Sequence, residues 1–301
     1  MIHNVALEDT ADLCRIVRFL RGRTVGLVTG GGGAYGPAHL GVHQAFVDRR
    51  VEFDIFGGSS VGAAMAAVFA ALADINYIQA GVQEIFVRRR ALKRITWPRF
   101  GLLDHAVFDA ELRRFYPGRL ENVWKPCFTV AADLTDFTTR ILRTGPVWEA
   151  IRASAAIPGV LPPFFDEDGH MLVDGGVVDN VPLAAMRALK SGPNVVVGLR
   201  SPNSARRKID YAAIPGRRAL LGRTLAPLPG RRALPSCPGP APVILRTLFA
   251  NIGLEPRPEG GDIVLRLPAF PGSSFLDWER HREVIDAAYA WTQTRIGHRA
   301  R

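Results

Sequence analysis

Twice near the start of this chain, a short apolar run ends in a cluster of glycines and passes directly into a segment built for a helix. Thr24-Val25-Gly26-Leu27-Val28 leads into Gly30-Gly31-Gly32-Gly33-Ala34-Tyr35-Gly36. Pro37 then suits the first turn of a helix whose apolar side is Leu40, Val42, Ala45 and Phe46. Phe53-Asp54-Ile55-Phe56 leads into Gly58-Ser59-Ser60-Val61-Gly62 and the small-residue segment 61–73. A repeated strand–turn–helix order confines the chain to an α/β fold with a central, mostly parallel sheet and helices on both faces. Further strands are expected at 127–132, 138–142, 171–173, 194–199 and 263–267. Helices are expected within 7–22, over 146–156 and from about 277 to 296.

Three glycine-bearing turns then stand at strand ends: Gly31 to Gly36, Gly58 to Gly62, and Asp174-Gly175-Gly176. In an open parallel sheet, turns at the carboxyl ends of strands converge on one crevice. The first offers backbone N–H groups leading into a helix N-terminus, suited to an anion or a developing oxyanion. The second lifts the Ser60 hydroxyl out of the backbone where a helix starts, the geometry of an acyl-transfer nucleophile. The third offers a carboxylate able to accept the nucleophile's proton. Each has a plainer reading. The glycine run has the form of a dinucleotide fingerprint, although Glu52 and Asp54 are the only acids placed to hold a ribose. Ser60 can cap the following helix, and Asp-Gly is a common turn pair. Jointly, and in this order, the three are hard to explain as turns.

Charge is concentrated in one place. The net charge is +10, yet ten basic residues and one acid, Asp210, lie between Arg200 and Arg246, together with eight of the 22 prolines. This stretch is expected to be a basic, irregular insertion. With Arg88-Arg89-Arg90 and Lys93-Arg94 it suits either plain solvation or peripheral contact with an anionic membrane surface. Nucleic acid is not expected as a partner, because the basic segment lacks interleaved aromatics and a recognition motif. The longest nearly uncharged apolar run, 61–73, is too short to span a bilayer. The residues after Met1 show no basic-to-apolar signal, and three cysteines show no ligand spacing. A cytoplasmic setting, peripheral at most to the inner face of the membrane, is expected, with neither metal nor cofactor.

Residues 25–28 running into Gly31-Gly32-Gly33-Ala34-Tyr35-Gly36-Pro37, then Gly57-Gly58-Ser59-Ser60-Val61-Gly62-Ala63 and Asp174-Gly175-Gly176, resemble the patatin-like phospholipase family. The similarity is to its bacterial members and its neuropathy target esterase branch. Arg152 to Gly159 and Val177 to Pro182 support it, and it covers roughly 23–197. The resemblance implies a three-layer α/β/α fold and a serine–aspartate dyad without histidine, with Ser60 as nucleophile and Asp174 as base. It also implies an oxyanion hole from the Gly31, Gly32 and Gly33 backbone, with phospholipid or lysophospholipid as substrate. It divides the chain into a linker-like helix (1–22), a catalytic core (23–199), the basic insertion (200–246) and a C-terminal strand and helix completing the domain (247–301). The family usually carries Arg or Lys where this chain has Tyr35, so a fold-conserving protein with little hydrolase activity is the alternative function. Tyr35 is left to bond substrate or to pack. A triad in the order Ser60, Asp174, His281 is the weaker mechanism, because His281 lies in a charged segment and is expected to be solvated; His170 is expected to bond locally.

Overall fold

The computed structural model describes residues 2–6, 8–199, 209–216, 220, 237, 257–270 and 277–297. Five parallel strands form its spine: β1 (Gly26–Thr29), β2 (Ile55–Ser59), β3 (Cys127–Asp133), and, further along the chain, Asn194–Leu199 and Ile263–Leu267. β1 lies between β2 and Asn194–Leu199, β2 also pairs with β3, and Ile263–Leu267 pairs with Asn194–Leu199, all in parallel. β1, β2 and β3 are buried at every position, as expected for strands covered on both faces.

The pleat sorts their side chains. Leu27, Phe56, Val195 and Val197 enter one apolar layer, while Val28, Ile55, Phe128 and Val196 enter the other. The first layer is covered by α2 (Ala38–Val47), α3 (Val61–Ala70) and the last helix (His281–Gly297), whose backbone passes so near α2 that a Cβ on Gly41 would sit 2.2 Å from the Ile285 carbonyl. The second layer is covered by α1 (Thr10–Leu20), through Phe19, and by the helix Leu183–Leu189. Arg18 of α1 holds the buried Asp54 at 2.6 Å, and Asp54 also accepts the Val25 N–H at 2.9 Å. Asp54, a candidate ribose ligand in the dinucleotide reading, is thus committed to tying α1 to the sheet.

Between β2 and β3 the chain forms α4 (Ile75–Val82), a π-helical turn (Gln83–Arg88) and α5 (Ala106–Phe115). After β3 come β4 (Thr138–Leu142), α6 (Val147–Ser154), β5 (Phe164–Phe165) and β6 (Met171–Asp174). The order then closes with α7 (Leu183–Leu189), β7 (Asn194–Leu199), β8 (Ile263–Leu267) and α8 (His281–Gly297). A second compact unit, Pro202–Thr247, is described only at a few residues, where Tyr211–Ala213 form a 3-10 turn; most of the basic, proline-rich segment lies outside the described residues.

One expectation is corrected by the sheet register. β6 is not a parallel strand ending at the common edge; it runs antiparallel to β3. Thr129 and Val130 of β3 pair with both β2 and β4, so those two occupy opposite edges of β3. Ala131 to Asp133 pair with both β4 and β6, which puts β6 on the same edge as β2. β2 and β6 therefore meet end to end: Ser59 lies opposite Val130, and Asp174 lies opposite the next residue, Ala131.

Candidate active site

Ser60 sits at the junction of β2 and α3. Gly58 and Ser59 are still strand, so the turn is made by Ser60 alone, with φ 56° and ψ −126°. An L-residue avoids that region, at a cost of about 1–3 kcal/mol, and such strain persists only where the surroundings over-determine it. Here they do. The Ser60 N–H donates to Ser154 Oγ at 2.8 Å, and that hydroxyl donates onward to the Val130 carbonyl at 2.6 Å. Thr29 Oγ1, at the end of β1, lies 2.8 Å from the Gly62 carbonyl in the first turn of α3. A Cβ on Gly62 would lie 2.1 Å from the Thr29 carbonyl oxygen, so only glycine lets α3 begin there.

The end-to-end meeting of β2 and β6 brings the Ser60 hydroxyl to Asp174, which it reaches with a 2.7 Å hydrogen bond to Oδ2. The other oxygen, Oδ1, accepts the Gly176 N–H at 2.8 Å. Gly175 fits against the Val130 carbonyl and Ser59, which brings the Asp174 turn up to β2. Asp174 is fully buried and Ser60 is 5% exposed. Burial pushes the Asp174 carboxyl up to about 6, against the opposing hydrogen bonds from Ser60 and Gly176. The result is a carboxylate far more basic than one in water, in direct contact with a hydroxyl.

The glycine loop closes over Ser60 from the other side. A Cβ on Gly31 would lie 3.0 Å from the Ser60 Cβ. The Gly31 N–H, however, donates to the Asn180 carbonyl at 3.1 Å, which leaves Gly32 and Gly33 with N–H groups that have no acceptor among the described residues. Gly33 opens a 3-10 turn (Gly33–Tyr35) at φ 56°, and Gly36 ends it against the Val61 side chain. A side chain on Gly32 would run into Leu199 at 2.7 Å. The buried His39 pins the loop through a 2.7 Å contact from Nε2 to the Gly30 carbonyl, where only the N–H form of that nitrogen can serve. Burial holds His39 down to about 4, so it is neutral.

Beside Ser60 and Gly33 opens an apolar cavity. Val61, Ala64, Met65 and Val68 of α3 form one wall at helical spacing. α4, the π-helical turn and α5 form a second wall, out to Tyr77 and Phe115, and Ile151 of α6, the 155–161 segment and Trp278 complete it. An acyl chain is the chemistry such a wall accepts.

Four expectations change or sharpen. His281 is 2% exposed rather than solvated, with Nδ1 held 2.9 Å from the Trp278 carbonyl, because its segment folds back to cover the cavity rather than face water. The Asp174 carboxylate is occupied by Ser60 and Gly176, so no histidine stands between Ser60 and Asp174. His170 bonds locally, 3.1 Å from Asp166, beside Arg140. Tyr35 is 2% exposed and its ring stacks on Phe270. The supporting polar groups Thr29, His39, Ser154 and Asn180 had no assigned role. Thr29 and His39 carry a local signal, a polar residue ending or interrupting an otherwise apolar element next to the glycine loop; Ser154 and Asn180 carry none.

The geometry defines a class: a layered α/β/α protein with a serine on a strained strand-to-helix turn, paired directly with a buried carboxylate. Residues 27–187 match the family described as patatin-like phospholipase, and the chain belongs to that family. It is 36% identical over 197 residues to a putative patatin-like phospholipase domain-containing protein of Caenorhabditis elegans, covering 63% of this chain and 18% of that one. It is 37% identical over 182 residues to the lysophospholipase NTE1 of Saccharomyces cerevisiae, covering 59% and 11%. It is 32% identical over 195 residues to the human patatin-like phospholipase domain-containing protein 6, covering 63% and 14%. The matched part is thus less than a fifth of each relative's length. Among solved structures, VipD from Legionella pneumophila aligns over 90% of this chain and 66% of its own, with a TM-score of 0.44 and 15% identity.

Proposed function

We propose that this protein is a serine lipid acyl hydrolase that cleaves the carboxylic esters of phospholipids or lysophospholipids. The observation that carries the reading is the 2.7 Å hydrogen bond from Ser60 to a fully buried Asp174 at the mouth of an apolar cavity. Family membership and the similarity to a yeast lysophospholipase support it.

The chemistry follows from the groups in place. Ser60 Oγ attacks the ester carbonyl carbon while its proton passes to Asp174 Oδ2. The carbonyl oxygen becomes an oxyanion facing the free Gly32 and Gly33 N–H groups, preorganised donors in a water-poor site. The intermediate collapses by breaking the bond to the alcohol oxygen, which takes the proton from Asp174 and leaves. Water then attacks the acyl-Ser60, giving a proton to Asp174; collapse releases the fatty acid and returns that proton to Ser60. The carboxylate acts in turn as base and acid, a role suited to a pKa near the working pH. Asp174 must be ionised to begin. Fatty-acid release from lysophosphatidylcholine, measured as kcat/KM against pH, is therefore expected to rise tenfold per pH unit below about 6 and to level off above it. A wild-type protein that is folded yet inactive on every acyl lipid offered contradicts the function. An active one with no acid limb between pH 5 and 7 contradicts the role of Asp174.

A further inference from the structure

The loop between the π-helical turn and α5 carries three large apolar side chains in open solvent. Ile95, Trp97 and Phe100 are 86%, 85% and 72% exposed. Single exposed hydrophobic residues are ordinary on a protein surface; three within six residues, on one held loop, are not. The loop is held firmly. Ile95 and Leu103 form an antiparallel bridge, the Thr96 N–H donates to the Leu102 carbonyl at 3.0 Å, and the Asp104 N–H donates to the Arg94 carbonyl at 2.8 Å. Its base is bonded to the segment after α6, through Leu102 N–H to the Gly159 carbonyl at 3.0 Å and Leu103 N–H to the Val160 carbonyl at 2.9 Å. Phe100 has the Arg99 guanidinium 5.3 Å from its ring centroid, and most of the apolar surface of the three side chains still faces water.

The charge around the loop is one-sided. Glu84 pairs with Arg88 and Arg89, Glu111 also approaches Arg89, and Glu279 pairs with Lys93. Arg90, Arg94 and Arg99 remain exposed, with no carboxylate at ion-pair distance among the described residues. Aromatic and aliphatic tips ringed by arginine match the boundary of an anionic bilayer, where the rings enter the headgroup layer and the cations meet phosphate. The same loop is continuous with the cavity: Leu92 and Leu103 at its base line it, and so do Val160 and Leu161 across from them.

We propose that the 91–103 loop docks on an anionic lipid bilayer, inserting Ile95, Trp97 and Phe100 so that the acyl cavity beside Ser60 opens towards the membrane. This deepens the hydrolase reading, and its delivery step rests on that reading; the docking itself does not. A soluble protein partner would be met by the same tips but gives no reason for their continuity with an apolar cavity beside Ser60.

The test uses the full chain and vesicles of phosphatidylcholine alone or mixed with phosphatidylglycerol, with binding read by flotation. Replacing Ile95→Ser, Trp97→Ser and Phe100→Ser together is expected to lower binding to mixed vesicles at least tenfold and to lower hydrolysis of vesicle lipid in proportion. kcat/KM on a soluble short-chain ester stays within twofold, and Trp97→Ser alone gives a smaller loss of the same kind. Replacing Arg90→Glu, Arg94→Glu and Arg99→Glu is expected to cost roughly 100-fold on mixed vesicles at low salt and little on phosphatidylcholine. Leu20→Ala, as exposed at 82% but in α1, leaves binding unchanged. Undiminished vesicle binding in the triple serine variant overturns the proposal, as does an equal loss on the soluble ester, which would make the loop part of the site. Conversion of a dimer to a monomer with vesicle binding intact assigns the tips to a second copy and also overturns it. Should the wild type hydrolyse nothing, the hydrolase reading fails while flotation still decides the docking.

Discussion

Asp174→Asn is expected to lower ester hydrolysis by roughly 10²–10⁴-fold, the range that positioned general acid–base groups contribute, while making the protein more stable at neutral pH. The two effects have one cause. Burial lifts the Asp174 carboxyl from 3.8 to about 6, so the folded state binds its proton more tightly than the unfolded state does. The stability that this proton supplies is fully present below about 4 and is lost as pH rises through about 6. At neutral pH the buried charge therefore costs roughly 3 kcal/mol, by the free-energy equivalent of that shift. Asparagine keeps the shape, can accept the Gly176 N–H and can bond Ser60, without the charge. Thermal unfolding at pH 7.5 should show Tm higher by several degrees, since about 1 kcal/mol moves a domain of this size by about 2–4 °C. At pH 4 the advantage should vanish. A variant that is inactive but less stable than wild type at pH 7.5 would mean that Asp174 stabilises the fold as an ion, contrary to its buried setting.

Gly62→Ala is expected to destabilise the fold by about 3 kcal/mol or more, although it adds one methyl group. The added carbon would stand 2.1 Å from the Thr29 carbonyl oxygen and 2.7 Å from that of Gly30, and both are backbone atoms of β1 and the glycine loop. Neither can move without displacing the loop or lifting α3 from the sheet, and α3 carries Ser60. Gly198→Ala is the matched control in β7, where the nearest atom to the added carbon is 4.0 Å away and little change is expected. Denaturant titration of both variants measures the difference. Equal midpoints would show that the elbow has slack that its contacts do not suggest.

Much of this arrangement is legible in the residue order. The β1 and β2 runs with their glycines specify parallel strands, and Gly58-Ser59-Ser60-Val61-Gly62 marks the sharp turn that carries Ser60 because steric need restricts those positions. Other parts are written in long-range register, which local patterning does not carry. Nothing near 171–174 says that β6 runs against β3, or that Asp174 stops beside the end of β2. Asp174 reaches Ser60 on a strand antiparallel to β3, not at the carboxyl end of a parallel one. Gly31 shows the same limit: its N–H is committed to Asn180, and that pairing spans most of the sheet domain. His281 reads as solvated from its charged neighbours, yet the segment around Trp278 stacks on Phe86 at 3.6 Å and takes it into the wall of the cavity. The hydrophobic positions of α4 and α5 that line the cavity become recognisable as one surface only when brought against α3.

The central claim is that Ser60 is a nucleophile made reactive by its direct contact with Asp174. Fluorophosphonate labelling, with the modified peptide located by mass spectrometry, tests it most directly. Wild-type protein should form one phosphonyl adduct, at Ser60, at a rate that falls as pH drops below about 6, and Ser60→Ala should not label. Absence of an adduct on folded wild-type protein, or undiminished labelling of Ser60→Ala, would contradict the account.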